Sequence, residues 1–146
     1  MEEHKSILEF DNYLVNKATY YLNTNFIPKE DSSGLDVDFD IHAKVANDVN
    51  DIQVTLTAKI GDEDNQNCPF IIEVKITGFF SVNNKNEDVD FTANMLAILF
   101  PYLRSIISEL SVKSNIFPDY RLPLMNLYSF LKENNRIEVI EIADEE

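Results

Sequence analysis

Between residues 35 and 60 the sequence alternates apolar and polar side chains in two successive runs, a pattern that few architectures accommodate. Leu35, Val37, Phe39, Ile41, Ala43 and Val45 alternate with Asp36, Asp38, Asp40, His42 and Lys44. After a polar break at residues 47–51, Ile52, Val54, Leu56, Ala58 and Ile60 alternate with Gln53, Thr55, Thr57 and Lys59. Successive strand residues point to opposite faces of a sheet, so this period of two predicts two strands, each with one dry and one wet face. The short break predicts a hairpin between them. A third run, residues 70–82, alternates Phe70, Ile72, Val74, Ile76, Gly78 and Phe80 with Ile71, Glu73, Lys75, Thr77 and Phe79, so its second face is partly apolar. Residues 13–22 make an earlier strand of Tyr, Leu, Val and Thr, interrupted by Asn16 and Lys17. The segment that follows, residues 23–34, contains Pro28, Ser32, Ser33 and Gly34 and is expected to be a loop that exposes Phe26 and Ile27.

Beyond the polar residues 83–86 the period changes to about 3.6. Phe91, Met95, Ile98, Leu99, Tyr102, Leu103, Ile106, Ile107 and Leu110 fall on one stripe of a long helix, with Asp88 or Asp90 placed to cap it. Pro101 lies inside that stripe and predicts a kink or a break, because proline lacks a backbone donor and collides with the preceding turn. After a connector over residues 114–121 that includes Pro118, the spacing of Leu124, Leu127, Tyr128 and Leu131 predicts a second helix over 123–134, with Pro123 near its first turn. Residues 137–146 combine Ile137, Val139, Ile140 and Ile142 with Glu138, Glu141, Asp144, Glu145 and Glu146. An added strand and an acidic mobile tail both fit this pattern, and the tail is the expectation. Four strands followed by two helices define an α+β chain: a four-stranded antiparallel sheet with a long and a shorter helix on one side. Residues 1–136 form one domain and 137–146 an acidic C-terminal tail. The apolar surface exceeds what two helices can cover, which predicts self-association.

The chemistry available is sparse. With 26 acidic against 12 basic residues the net charge is −14, so the field repels phosphate backbones and nucleic acid is not an expected partner. The same field favours basic partners and keeps a protein with exposed apolar grooves in solution. Cys68 is the only cysteine, which excludes an intrachain disulfide and suits a reducing, cytoplasmic setting. The chain begins without a basic region followed by an apolar stretch, and no apolar run approaches the roughly 20 residues that cross a bilayer, so neither export nor membrane insertion is expected. His4 lies near a terminus and His42 among the carboxylates of a wet strand face, which leaves few candidates for a catalytic triad. Asp36, Asp38 and Asp40 alternate along a strand rather than enclosing a cation in a loop. Gly34, Gly61 and Gly78 are too dispersed for a phosphate loop, and Cys68 has no companions for zinc, so neither cofactor, metal nor catalysis is expected.

Residues 94–104 are Asn-Met-Leu-Ala-Ile-Leu-Phe-Pro-Tyr-Leu-Arg. The Leu-Phe-Pro-Tyr-x-Arg run resembles the start of the long helix of SecB, the protein-export chaperone family. Downstream, Phe117-Pro118, Leu122 and Asn126 are similar to that family's Phe-Pro-x-Leu-x-Leu-x-Pro-Val-Asn-Phe stretch, and residues 78–81, Gly-Phe-Phe-Ser, resemble its Gly-x-Phe-Ser at the close of the last strand. The resemblance covers residues 10–134 with the same order of elements. It implies a homotetramer, a dimer of dimers with helices between two eight-stranded sheets. It also implies an ATP-independent holdase that binds unfolded client polypeptides in apolar grooves, preproteins of the Sec pathway above all. The groove positions are Phe26, Ile27, Leu124, Leu127, Phe130 and Leu131, and the positions that would meet the motor ATPase SecA are Ile71 and Glu73. Three features depart from the family pattern: the chain has no Trp, its proline stands one place early as Pro123, and the first-strand acidic positions fall on residues such as Lys17 and Tyr21. Loss of those charges favours an alternative role, a dedicated chaperone of the antitoxin in a toxin–antitoxin pair. A third reading, a hot-dog-type acyl thioesterase, would use Asp90 or Glu73.

Overall fold

The second and third of the expected strands form a hairpin in the computed structural model. The structure describes residues 7–28, 37–83, 90–113, 115, 117 and 119–142. Strand β2 (Phe39–Asp48) pairs antiparallel with β3 (Asp51–Ile60), from Phe39↔Ile60 to Asp48↔Asp51, so the turn is made by Val49 and Asn50 alone. The expected start of β2 at residues 35–36 lies outside the described residues. β4 (Phe70–Asn83) pairs with the other side of β3, and β1 (Ile7–Leu22) pairs antiparallel with β4. β1 is longer than its pattern suggested because two bulges break its periodicity. Asp11 and Asn16 are the extra residues, and each displaces the alternation by one place. Asn16 therefore interrupts the apolar run without interrupting the strand, and its side-chain oxygen accepts a hydrogen bond from Thr77 at 2.8 Å.

One face of the sheet carries the core. Ile41, Val45, Val54, Leu56, Ile60, Ile72, Ile76 and Phe80 are buried there in one core with α1 (Thr92–Ser111), which contributes Met95, Leu96, Leu99, Leu103 and Ile107. The alternation of the strands and the 3.6-residue stripe of the helix thus meet as expected. The helix comes closest at Gly78, where a β-carbon would stand 2.6 Å from Leu99 Cδ2. α1 runs through Pro101 as one helix. Pro101 and Ala97, whose carbonyl loses its donor four residues on, are both exposed, so water can replace the missing partner. Asp90 supplies the capping interaction at its start: the carboxylate accepts from Thr92 N at 2.9 Å and Thr92 Oγ1 at 2.7 Å. The alternative cap, Asp88, lies outside the described residues.

Two expectations are corrected at the C-terminal end. α2 spans Leu127–Glu133 rather than beginning at 123. Asn126 starts it by accepting a hydrogen bond from Ser129 N at 3.0 Å, while Pro123 disfavours helical geometry at Leu122, which is buried and gives its carbonyl to Arg104 Nε at 3.0 Å. The sheet has five strands, in the order β1-β4-β3-β2-β5. β5 (Ile137–Glu141) adds to β2 in parallel, from Ala43↔Ile137 to Asn47↔Glu141. The segment expected as a mobile tail is thus a strand over those residues, because the open edge of β2 offers backbone partners: Ala43 N donates to Arg136 O at 2.9 Å and Ile142 N to Asn47 O at 2.8 Å. Residues 143–146 lie outside the described residues.

Candidate functional site

The loop that leaves β1 carries Phe26 and Ile27 on a short pinned segment. Ile27 N donates to Gln66 O at 2.9 Å and Asn25 Nδ2 to Glu63 O at 2.9 Å, which ties the segment to the β3–β4 loop. Phe26 is half-buried and meets Phe117 edge-on, with ring centroids 5.7 Å apart. Phe117 in turn lies 6.2 Å from Phe70, and Phe70 lies 5.7 Å from Tyr20. Ile27 is 50% exposed beside this aromatic row. The connector between the helices thus contributes Phe117 to it, although Pro118 lies outside the described residues.

A cleft of about 680 Å³ opens where the same connector passes the start of β2. Val37, Phe39, Tyr120 and Pro123 give it apolar surface, and Asp38, Asp40, Arg121 and Arg136 line it with charge. Phe39 packs on Phe130 of α2 at 5.7 Å, and Tyr120 N donates to Ser111 Oγ at 2.7 Å, which fixes the connector against the end of α1. Burial, and secondarily the charge of Asp38, raises the Tyr120 phenol above its ordinary value, so it stays a neutral hydroxyl.

The expected groove residues divide between surface and core. Ile27 and Leu124 face solvent, Leu124 at 82% exposure, and Phe26 and Phe130 are half-buried. Leu127 and Leu131 are taken up by the core beneath α2. Phe39, Tyr120 and Asn23 have no role in the sequence reading beyond strand face or loop. Tyr120 carried no signal of its own, and Phe39 belonged to a dry face whose edge the sequence did not mark.

The positions expected to meet a motor ATPase lie on the sheet face away from the helices. Ile71 is fully buried, since the loop starting at Gly61 folds over it. Glu73 forms an ion pair with Lys17 of β1. Nearby, Tyr21 donates to Glu63 at 2.7 Å and Lys59 pairs with Glu63 at 2.9 Å. These hydrogen bonds, Tyr21 first and Lys59 second, hold the Glu63 carboxyl down to about 2. The same bond to Glu63 pushes Tyr21 up to about 12.

The remaining candidates are occupied structurally. Asp40 faces His42 at 3.1 Å and Arg136 at 3.3 Å, while Asp36 and His4 lie outside the described residues. Cys68 is buried and its thiol donates to Phe70 O at 3.2 Å. Asp90 is lowered by its bonds from Thr92 N and then Thr92 Oγ1, the opposite of a carboxyl tuned as a general acid. It precedes a helix on one side of the sheet, whereas Glu73 lies on the other. Among the described residues no group of three His, Cys, Asp or Glu could hold a metal ion, and no helix is long and apolar enough to cross a membrane.

The structure is an α+β protein, a sheet with two helices, that keeps apolar and aromatic side chains at its surface and engages Asp40, Glu63, Glu73 and Asp90 in ion pairs or a cap. Residues 21–136 match the family described as preprotein translocase subunit SecB, and the chain belongs to the SecB family. It is 32% identical over 129 residues to the uncharacterized protein MJ0357 of Methanocaldococcus jannaschii, a span of 84% of this chain and 81% of that one. It is 31% identical over 111 residues to the protein-export protein SecB of Burkholderia vietnamiensis, covering 72% of this chain and 67% of the relative. The fold is similar to that of the SecB-like chaperone Rv1957 of Mycobacterium tuberculosis, solved in complex with a ChAD peptide from the HigA1 antitoxin Rv1956. The TM-score is 0.64 over 81% of this chain and 90% of that one, at 12% identity.

Proposed function

We propose that this protein is a cytoplasmic, ATP-independent holdase that keeps polypeptides unfolded by binding extended apolar stretches, with no catalytic step. The observation that carries this reading is the apolar surface left at Phe26, Ile27 and Leu124 together with the cleft lined by Phe39 and Tyr120. Aromatic and aliphatic walls accept many side chains, whereas a site built to select one ligand needs several converging polar groups. The net charge of −14 favours clients with basic residues beside their apolar segments, while the rim of the cleft is itself balanced, Asp38 and Asp40 against Arg121 and Arg136. Phe130 contributes from α2 through its contact with Phe39, while Leu127 and Leu131 are buried in the core.

The clients proposed first are preproteins of the Sec pathway, in keeping with the family and with the export protein of Burkholderia vietnamiensis. A dedicated antitoxin client is the second reading. Two observations favour it: Ile71 is buried, and the charge of Glu73 is already matched by Lys17, so the face for SecA is weakened. The proposed assembly is a homotetramer, a dimer of dimers. β1 stands at the edge of the sheet with Ile7, Leu14, Val15 and Leu22 exposed along it. Edge-to-edge pairing of two copies there would give ten strands rather than eight.

The test is suppression of aggregation of a refolding model protein, with the mass of the oligomer measured alongside. Delay of aggregation at equimolar subunits by a tetramer supports the reading. A monomer that leaves aggregation unchanged overturns it. Capture from cells then separates the clients: many precursors support export, and one small basic partner supports the antitoxin role.

A further inference from the structure

Asn23, the first residue past β1, is buried at 6% exposure while Thr24 and Asn25 beside it are exposed. Every polar group it owns is engaged. Its backbone N–H donates to Pro69 O at 2.9 Å and its carbonyl accepts from Phe26 N at 3.0 Å. Its side-chain oxygen accepts from Asn25 N at 3.0 Å. Its side-chain nitrogen faces three backbone carbonyls of the β3–β4 loop: Cys68 O at 2.8 Å, Asn65 O at 3.2 Å and Asp62 O at 3.4 Å. The loop therefore curls around a single amide nitrogen whose two protons are shared among three acceptors. A carboxylate of the same shape would set an oxygen against three oxygens, in a buried place where the repulsion is poorly screened.

What Asn23 holds is the segment that carries Phe26 and Ile27. Its carbonyl fixes the turn to Phe26, and the bonds from Ile27 N to Gln66 O and from Asn25 Nδ2 to Glu63 O continue the same attachment. The ring of Phe26 is then seated against Phe117. A tolerant apolar wall can be built either from mobile side chains that order when a client arrives or from side chains already held in place, and the second arrangement avoids the ordering cost.

We propose that Asn23 is the positioning residue of the client-binding wall: it clamps residues 23–27 to the β3–β4 loop, so that Phe26 and Ile27 are in place before a client binds. This rests on the holdase reading above. Affinity for extended apolar chains then depends on a residue that touches none of them.

The chain contains no Trp, so Phe26→Trp places a single tryptophan in the wall, excited apart from the six tyrosines at the red edge of the absorption band. The double variant carrying Asn23→Asp is compared with Phe26→Trp alone, using a reduced, carboxymethylated, permanently unfolded protein as the probe. The expected result is lower tryptophan anisotropy, easier quenching by acrylamide and about tenfold weaker binding of the probe, with unchanged oligomer mass and far-UV circular dichroism. Should Asn23→Asp fail to fold, Tyr21→Phe with Asn25→Ala leaves Asn23 in place and removes two outer bonds to Glu63. That variant is expected to move all three readings in the same direction by less. Unchanged anisotropy, or unchanged affinity despite a loosened tryptophan, overturns the proposal. If Phe26→Trp and the unsubstituted protein both fail to bind the probe, the holdase reading falls, and the affinity claim made for Asn23 falls with it. The anisotropy then decides separately whether the clamp exists.

Discussion

Gly78 lies where α1 comes down on β4, and its missing side chain is what lets Leu99 reach the sheet. Gly78→Ala is expected to cost about 1–3 kcal/mol by overpacking a close-packed contact, read as a lower urea midpoint at unchanged slope. Val49 is the opposite case, a β-branched residue at φ 49° in a turn of two residues. Asn tolerates the left-handed region better, so Val49→Asn is expected to stabilise the protein by about 1 kcal/mol in the same assay. Glu63 gives a dependence on pH. Its folded value near 2 lies below the ordinary 4.5, so its contribution is complete above the ordinary value and disappears as pH falls through the interval. The stability difference between the unsubstituted protein and Glu63→Gln should therefore close over that interval, and an unchanged difference would sink the assignment. None of these roles is visible in the local pattern. Gly78 occupied an ordinary inward position, Val49 lay in a polar break, and Glu63 was one of several acidic loop residues.

At the level of elements, residues in uninterrupted alternation were readable and those governed by a bulge, an edge or the late start of α2 were not. β2, β3 and β4 follow their period of two, and α1 follows its stripe through Pro101 because the freed carbonyl faces outward. Asp90 was a candidate cap by position, and the geometry uses it: Asp90→Ala is expected to destabilise the protein by about 1 kcal/mol, with thermal melting as the check. α2 begins late because Asn126 satisfies its first turn, a choice that depends on a side-chain rotamer rather than on apolar spacing. β5 depends on a partner far away in sequence. Truncation after Asn134 is expected to leave the core folded and to expose the Ala43 amide, which donates to Arg136 O, to rapid hydrogen exchange. Continued protection of that amide would mean that β5 is not what covers the β2 edge.

For the whole molecule the dominant quantity is its net charge of −14, which sets self-repulsion against a largely apolar core. Raising salt from low to physiological ionic strength shortens the Debye length from about 30 Å to about 8 Å and should raise the melting temperature, while weakening capture of basic clients. Of the proposed surface, Ile27 is exposed in its loop as expected, whereas Phe26 is half-buried because Phe117, ninety-one residues on, packs against it. Leu127, Leu131 and Phe130 were expected alike at the groove, yet the packing of α2 buries the first two and leaves the third half-buried. The sequence by itself determined which faces of the strands and of α1 are apolar, and the SecB motif, because these depend on residues two to four places apart. Only the tertiary structure decided the parallel fifth strand, the burial of Ile71 under a loop, the pairing of Glu73 with Lys17 and the seat of Asn23 among three carbonyls. Each of these is a competition between groups distant along the chain for the same donor, acceptor or space, and a local period carries no record of which one prevails.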